Sequence, residues 1–352
     1  MTTPRVAVLG GDGVGPEIIG AAVEVLRVCL PVEIEEGLVG GAAIEETGNP
    51  LPEATLQLVD SANAVLLGPV GGPQWEGRVR AEEGLARLRR QTGAYASLRP
   101  ARHLGVPTPI RESIARHADI VLVRDLTDVY SAAGSAAQDP AWRQSLEDIR
   151  RVAHLAFHQA MRRRHRVTAI DKANFLAASK TWREVVAEVA GEYPKVEFVQ
   201  RYVDTTSFEI LRAPHRFDVI LTENLFGDIL SDQLAALVGS LSLLGGASLG
   251  VRGNLFRPIQ DSEPDVAGRG IANPAGAILA VALMLEHSLE RADLARALEA
   301  AVAIAVREAR TPDIGGRATT REFTDAVLKN FAWLRWADVP EAEPAGRAEW
   351  GV

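Results

Sequence analysis

The stretch NLFGDILSDQLAALVGS, residues 224 to 240, sets Asp228 and Asp232 four positions apart at the start of an apolar-periodic segment. On a helix that spacing puts both carboxylates on one face, about a turn apart. Two acids near a helix N-terminus also complement its dipole, so the pair alone admits a purely structural role. A third acid, Asp204 in RYVDTT, would complete an all-oxygen site suited to Mg2+ or Mn2+ rather than zinc. No His/Cys cluster offers a zinc alternative.

A second group is basic. RLRRQTGAYASLRP holds Arg89 and Arg99, and Arg124 emerges near the end of DIVLVRDL. Guanidinium forks grip carboxylates bidentately, so converging arginines suit a small polyanionic substrate, whereas any one of them could equally serve solubility. The run RRRHR, Arg162 to Arg166, reads as a solvated helix end. Lys172, just past a strand in IDKANF, and Tyr130, in RDLTDVYS, could take and return a proton if desolvated beside acids.

The opening GGDGVGPEI, Gly10 to Ile18, resembles a phosphate-binding glycine loop, but Pro16 stands where the dinucleotide fingerprint needs its last glycine. Asp12 inside the loop would also oppose a pyrophosphate.

These groups need a scaffold, and the chain has 352 residues to build one, enough for two domains, with 47% hydrophobic residues. Strands are expected at 5 to 9, 32 to 40, 63 to 73, 119 to 126, 166 to 175, 196 to 205 and 217 to 224. Helices are expected at 17 to 30, 52 to 61, around GLARLRRQTG, and at 144 to 163, 181 to 193, 227 to 241, 273 to 287 and 292 to 308. This alternation implies an α/β protein with a largely parallel sheet and ligands outside the carboxyl ends of its strands. The stretch 131 to 142 is small and polar, as in a loop or an arm, and 337 to 352 reads as a loosely held tail. A net charge of −8 argues against nucleic acid or an anionic membrane as partner. The longest apolar run, about Ala275 to Leu285, is too short to cross a bilayer. The one cysteine, Cys29, falls in the apolar register of the first helix and fits a reducing cytoplasm, and no secretory signal heads the chain.

Taken in order, GGDGVGPEI, GPVGGP, LRRQTGAYASLRP, RDLTDVY, DKANF, YVD, TENLFGDILSD and PDVAGRGIANP resemble the isocitrate/3-isopropylmalate dehydrogenase family of β-hydroxyacid oxidative decarboxylases, from Val6 to about Trp333. The resemblance implies a two-domain α/β fold with a large mixed sheet flanked by helices, not a Rossmann fold. Residues 1–94 with 239–352 would form a discontinuous cofactor-side domain. Residues 95–238 would form the dimerisation and metal/substrate domain, with an arm near 131–142. It further implies that Arg89, Arg99 and Arg124 bind the carboxylates of a malate-type substrate. Asp228 and Asp232, joined by Asp204 of the other subunit of a homodimer, would hold Mg2+ or Mn2+ on that substrate. Lys172, also from the partner chain, would take the hydroxyl proton as hydride passes to the nicotinamide, and Tyr130 would protonate carbon after decarboxylation. The cofactor would lie along IQDSEPDVAGRGIAN, with Asp265 on the adenosine ribose, Asn273 at the adenine, and Gly71, Asp261, Ser262 and Glu263 lining the site. A carboxylate at the ribose repels a 2′-phosphate and favours NAD.

The chain departs from the family where a loop close to HGSAPDIAG is usual, with Gln260, Asp261 and Glu263 replacing histidine, glycine and alanine. The segment from Arg124 to Tyr130 is about one residue short. The resemblance implies that the helix before Arg89 reads the C3 substituent, and there Leu85 and Ala86 would offer an apolar face that suits isopropylmalate. Ala86 is smaller than the usual leucine, however, and Phe175 is larger than the usual valine. The expected reaction is therefore NAD- and metal-dependent oxidation and decarboxylation of 3-isopropylmalate to 2-oxoisocaproate in leucine biosynthesis. The alternatives are a paralogue acting on another 3-substituted malate, tartrate or D-malate, and a regulatory subunit that keeps the anion pocket without turnover.

Overall fold

The computed structural model describes residues 3–75, 80–127 and 140–336. Tyr130, residues 131–139 of the expected arm and the tail from 337 lie outside them. The strands are β1 (Arg5–Leu9), β2 (Glu33–Gly37), β3 (Ala64–Leu67), β4 (Ala94–Arg102), β5 (Asp119–Asp125), β6 (Arg166–Asp171), β7 (Glu197–Tyr202), β8 (Val219–Thr222), β9 (Gly245–Gly250) and β10 (Leu255–Pro258). The helices are α1 (Gly15–Cys29), α2 (Gly40–Thr47), α3 (Glu53–Ser61), α4 (Glu82–Thr92), α5 (Glu112–Ala115), α6 (Pro140–Met161), α7 (Ala177–Ala190), α8 (Val203–Arg212), α9 (Asn224–Val238), α10 (Ala275–His287), α11 (Ala292–Glu308) and α12 (Thr320–Leu334).

Ten strands form a sheet in the order β2-β1-β3-β10-β9-β4-β5-β8-β6-β7. Most pairs are parallel, but β9 with β10 and β4 with β5 run antiparallel, so the sheet is mixed. The chain divides into two compact units, one of Met1–Ala94, Leu104–Pro107 and Gly239–Val339, the other including Tyr95–His103 and Thr108–Val238.

In the first unit, α1, α10, α11 and α12 pack as layers, with α10 also against β9 and β10. That placement buries α10 on nearly every side, which is why Ala275 to Leu285 is apolar all round. Cys29 closes α1 in this core, and burial pushes its thiol up to about 12. Among the described residues no helix is long and apolar enough to cross a membrane.

In the second unit, α6 and α7 pack together and contact β6, while α8 and α9 pack together, α9 on β5 and α8 on β6 and β7. Three boundaries differ from the sequence expectation in ways that matter chemically. Strand β6 stops at Asp171, and Lys172 opens a turn closed by the Phe175 N–H on its carbonyl at 2.9 Å. Strand β7 stops at Tyr202, so Asp204 is in the first turn of α8 rather than on a strand. Tyr202 is extended and caps that helix with its carbonyl, on which the Thr206 hydroxyl also donates at 2.8 Å. Helix α9 begins at Asn224, leaving no acid in its first turn, so Asp228 and Asp232 are not there to offset the helix dipole.

The run RRRHR is likewise not simply solvated. Arg163 donates to Asp218 and Asp119, each at 2.8 Å, and Arg164 reaches Asp119 at 2.9 Å. Asp218 is buried beneath them, and a buried carboxylate without such partners would be costly.

Candidate active site

Arg99 rises from the middle of β4 and Arg124 from the penultimate position of β5, and both are buried. Each guanidinium reaches the same oxygen of Asp228 on α9: Arg99 at 3.3 Å, Arg124 in closer contact. Arg124 is steadied by the Asn224 side-chain oxygen, 2.7 Å from its Nε, and Arg99 also donates to Ser231. Gly227 makes this geometry possible, since a Cβ there would stand 2.8 Å from the Arg124 side chain. Burial pulls Arg99 below its ordinary pKa, and the charges of Asp228 and Asp232 oppose that shift. An arginine stays charged under these conditions. The result is a buried double cation beneath two exposed carboxylates a helical turn apart.

Lys172 and Asp204 form a separate pair in the same unit. Lys172 Nζ lies 2.9 Å from Asp204 Oδ1, and the hydrogen bond from Lys172 holds the Asp204 carboxyl below its usual range. Strands β5, β8 and β6 are neighbours, so Arg124 and Lys172 leave the same end of the sheet two strand spacings, about 10 Å, apart. Among the described residues, no group of three or more His, Cys, Asp or Glu is gathered closely enough in one chain to hold a metal ion. Asp204 therefore does not join Asp228 and Asp232 within the chain. The donor chemistry of the three carboxylates nonetheless fits a hard divalent cation.

In the first unit the glycine-rich opening turns out to be a structural knot. Asp12 accepts the N–H groups of Gly41 and Ala42 at 2.9 Å and of Gly71 at 2.8 Å. Its carboxylate thus serves the N-terminus of α2, the place where an anion is favoured. Gly13, at φ +58°, passes so close to the neighbouring loop that a Cβ would stand 1.9 Å from the Ser262 carbonyl. That carbonyl accepts the Val14 N–H at 2.8 Å. Pro16 occupies the start of α1, where a missing N–H is harmless.

The loop from Gln260 to Asn273 leaves Asp261 and Asp265 exposed and Ser262 buried. Glu263 sits at φ +41°, and burial together with Asp313 and Asp261 pushes its carboxyl up. Asn273 is buried, its oxygen accepting from Ala275 N–H at 3.0 Å and its nitrogen donating to Asp313 at 3.1 Å. Glu17 of α1 holds the far end of the loop through Gly270 N–H, Ala272 N–H and the Thr320 hydroxyl. The exposed Asp265 carboxylate has the right chemistry for ribose hydroxyls. On α4, Leu85 turns into the local core beside Leu88, Ala86 is exposed, and Arg89 is half-buried. Sequence reasoning missed Asn224, Ser231, Glu17 and Asp313, and it read Asp12 only as an opponent of pyrophosphate, not as the acceptor of three backbone N–H groups. Asn224 precedes the paired aspartates and Ser231 stands between them in one motif, and their polarity within an apolar helix is the available signal.

Comparison with known proteins agrees with this architecture. The family profile for isocitrate/isopropylmalate dehydrogenase matches residues 5–327. The 3-isopropylmalate dehydrogenase of Deinococcus radiodurans is 44% identical over 345 residues, covering 93% of this chain and 97% of the relative. That of Zymomonas mobilis is 44% identical over 344 residues, covering 92% and 99%. The crystal structure of isocitrate dehydrogenase from Methylococcus capsulatus superposes with a TM-score of 0.82 at 33% identity, covering 94% of this chain and 99% of that one. The chain belongs to the isocitrate/isopropylmalate dehydrogenase family, whose members are oxidative decarboxylases.

Proposed function

We propose that this protein oxidises and decarboxylates a 3-substituted malate with NAD and Mg2+ or Mn2+, its substrate being 3-isopropylmalate and its product 2-oxoisocaproate, in leucine biosynthesis. The observation that carries the reading is the convergence of Arg99 and Arg124 on Asp228, a buried cationic clamp next to carboxylates of metal-binding type. The names of the curated relatives supply the substrate. Arg99 and Arg124, with Arg89, would bind and orient the two substrate carboxylates. Asp228, Asp232 and Asp204 would hold the cation, which when bound supplies Lewis acidity at the substrate hydroxyl and the neighbouring carboxylate. Lys172 would accept the hydroxyl proton at Nζ, and Tyr130 would return a proton to carbon. Asp265 and Asn273, with Gly71, Asp261, Ser262 and Glu263, would form the NAD site.

The separation of Lys172 and Asp204 from the arginine clamp supports a homodimer in which each site takes its base and one metal ligand from the partner. The second unit exposes Phe175, Phe208, Leu225 and Ile229, apolar surface of the kind a second copy would cover. Equal mixtures of Lys172→Met and Asp228→Asn chains, refolded together, test the shared site directly. Each variant alone is expected to be inactive and the mixture to recover activity, because heterodimers contain one intact site. Recovery no greater than the sum of the two parents would refute sharing.

One observation favours a second substrate reading. Phe175, three residues from Lys172, is 81% exposed, a large aromatic side chain available to shape a substituent pocket. A panel of 3-substituted malates, with tartrate and D-malate, assayed by NADH formation decides between them. Turnover confined to another member of the panel would replace isopropylmalate, and no turnover with any would favour a regulatory subunit.

A further inference from the structure

Three buried carboxylates sit side by side at the carboxyl ends of adjacent strands. Asp125 ends β5, Glu223 follows the last residue of β8, and Asp171 ends β6, each at most 3% exposed. A core that served stability alone would fill such positions with apolar side chains, because burying a carboxylate is expensive even when it is well bonded. Each acid is the chain neighbour of a residue at the site. Asp125 follows Arg124, Asp171 precedes Lys172, and Glu223 precedes Asn224, the residue that steadies Arg124.

One helix face holds all three. Ser179, Trp182 and Arg183 of α7 stand at i, i+3 and i+4, hence on one side of the helix. The Ser179 hydroxyl donates to Glu223 at 2.7 Å, Trp182 Nε1 donates to Asp125 at 3.0 Å, and Arg183 Nε donates to Asp171 at 2.8 Å. The other oxygens of the two aspartates reach back to the chain. Asp125 accepts from the Thr127 N–H at 2.8 Å, fixing the chain as it leaves β5, and Asp171 accepts from the Ala173 N–H at 2.8 Å, fixing the peptide that follows Lys172. On β5 successive side chains point to opposite faces, so Asp125 is held on one face while Arg124 projects from the other. Arg183 has a further contact. Its guanidinium lies over the Tyr202 ring, 4.8 Å from the centroid, and Tyr202 is the residue from which α8 starts before presenting Asp204 to Lys172.

We propose that α7 is a positioning element for the active site: Arg183, through Asp171 and Tyr202, sets the Lys172–Asp204 pair, and Trp182, through Asp125, sets Arg124. The proposal rests on the reading of Lys172 as base and Arg124 as substrate clamp. It makes the two neighbouring residues of one helix fail in different ways. Misplacing a reacting group lowers the rate, whereas misplacing a clamp that holds the ground state weakens binding.

The test is steady-state kinetics on the full-length enzyme with NAD, Mn2+ and the 3-substituted malate it turns over best, using Arg183→Met and Trp182→Phe. Arg183→Met is expected to lower kcat by about 10- to 100-fold with KM changed by less than about threefold. Trp182→Phe is expected to raise KM for the hydroxyacid by about tenfold and leave kcat within about threefold. Arg183→Lys should recover part of the lost rate, since a cation would again face Asp171. Independently of activity, amide hydrogen exchange across residues 171 to 176 should accelerate in Arg183→Met and stay unchanged in Trp182→Phe. Equal loss in kcat and KM for both variants, or loss that only tracks the fraction unfolded, would overturn the proposal. Full turnover by Lys172→Met would instead strike the assignment of the base, and the exchange data would still decide whether Arg183 holds the 171 to 176 turn.

Discussion

Replacing Asp12 by alanine tests whether the opening glycine motif is a structural tie. Its carboxylate serves three backbone donors, Gly41, Ala42 and Gly71, at 2.8 to 2.9 Å, in a position only 6% exposed. Hydrogen bonds to a charged group contribute about 1.5–3 kcal/mol each, and an acid at a helix N-terminus adds roughly 0.3–1 kcal/mol. Water can re-enter the emptied space and recover part of this, so the expected loss for Asp12→Ala is about 3–5 kcal/mol, a large share of a typical total stability. Asp12→Asn separates charge from geometry. Oδ2 alone accepts from Gly41 and Gly71, so an asparagine oxygen placed there keeps two bonds and sets its amide against the Ala42 N–H. Its expected loss is about 1–2 kcal/mol. Urea unfolding gives the stabilities, and hydrogen exchange at Gly41, Ala42 and Gly71 reports the local release. An Asp12→Ala protein within about 1 kcal/mol of the parent, with unchanged exchange at those amides, would refute the reasoning.

Burial pushes the Asp125 carboxyl up to about 6, so its contribution to stability is complete below the unfolded value of 3.8 and lost as pH rises through 6. Asp125→Asn should remove that slope, and its stability relative to the parent should rise by up to about 3 kcal/mol between about pH 4 and 6, as read by urea midpoints at each pH. Gly13→Ala should destabilise by about 2 kcal/mol or more, because φ +58° and the Ser262 carbonyl both oppose a side chain. Calorimetry should show weaker NAD binding in the same variant, since the 260 to 263 loop must shift. Arg124→Lys should raise the KM for the hydroxyacid by tenfold or more, because lysine cannot reach Asn224 and Asp228 together as the guanidinium does. Cys29, with its thiol pushed up to about 12, should resist alkylation at neutral pH until the chain is unfolded, which mass spectrometry with and without denaturant would show.

Helix α11, buried along one face, matches its expected limits, and so does β1, a short apolar run buried along nearly its whole length. Strand β4 carries no such signature, because Ala94–Arg102 mixes buried Ser97 and Arg99 with Pro100. The apolar rhythm of 196 to 203 runs on into Asp204 and predicts a strand there, whereas the turn into α8 is marked only by the cap at Tyr202. The charged residues of the site were legible as types at spacings. Their partners were not, since Asn224, Ser231, Asp12 and Glu17 act through contacts with residues distant in sequence or across a turn. The glycines of GGDGVGPEI resemble a failed nucleotide loop, and their reason lies in close backbone approaches, of Pro69 to Gly11, Ser262 to Gly13 and Gly10 to Gly15, the first two from residues distant in sequence.

Strand β3 pairs with β1 on one side and with β10 on the other, Val65 standing opposite Leu255. During synthesis its second edge therefore remains open until the ribosome has delivered Leu255, long after the residues of the second unit have emerged. The second unit, from Tyr95 to Val238 apart from Leu104–Pro107, has its own strands and helices in hand by then. Nascent chains would thus mature out of written order, the inner portion first and the amino-terminal portion last, with an unpaired hydrophobic edge awaiting its carboxyl-terminal complement.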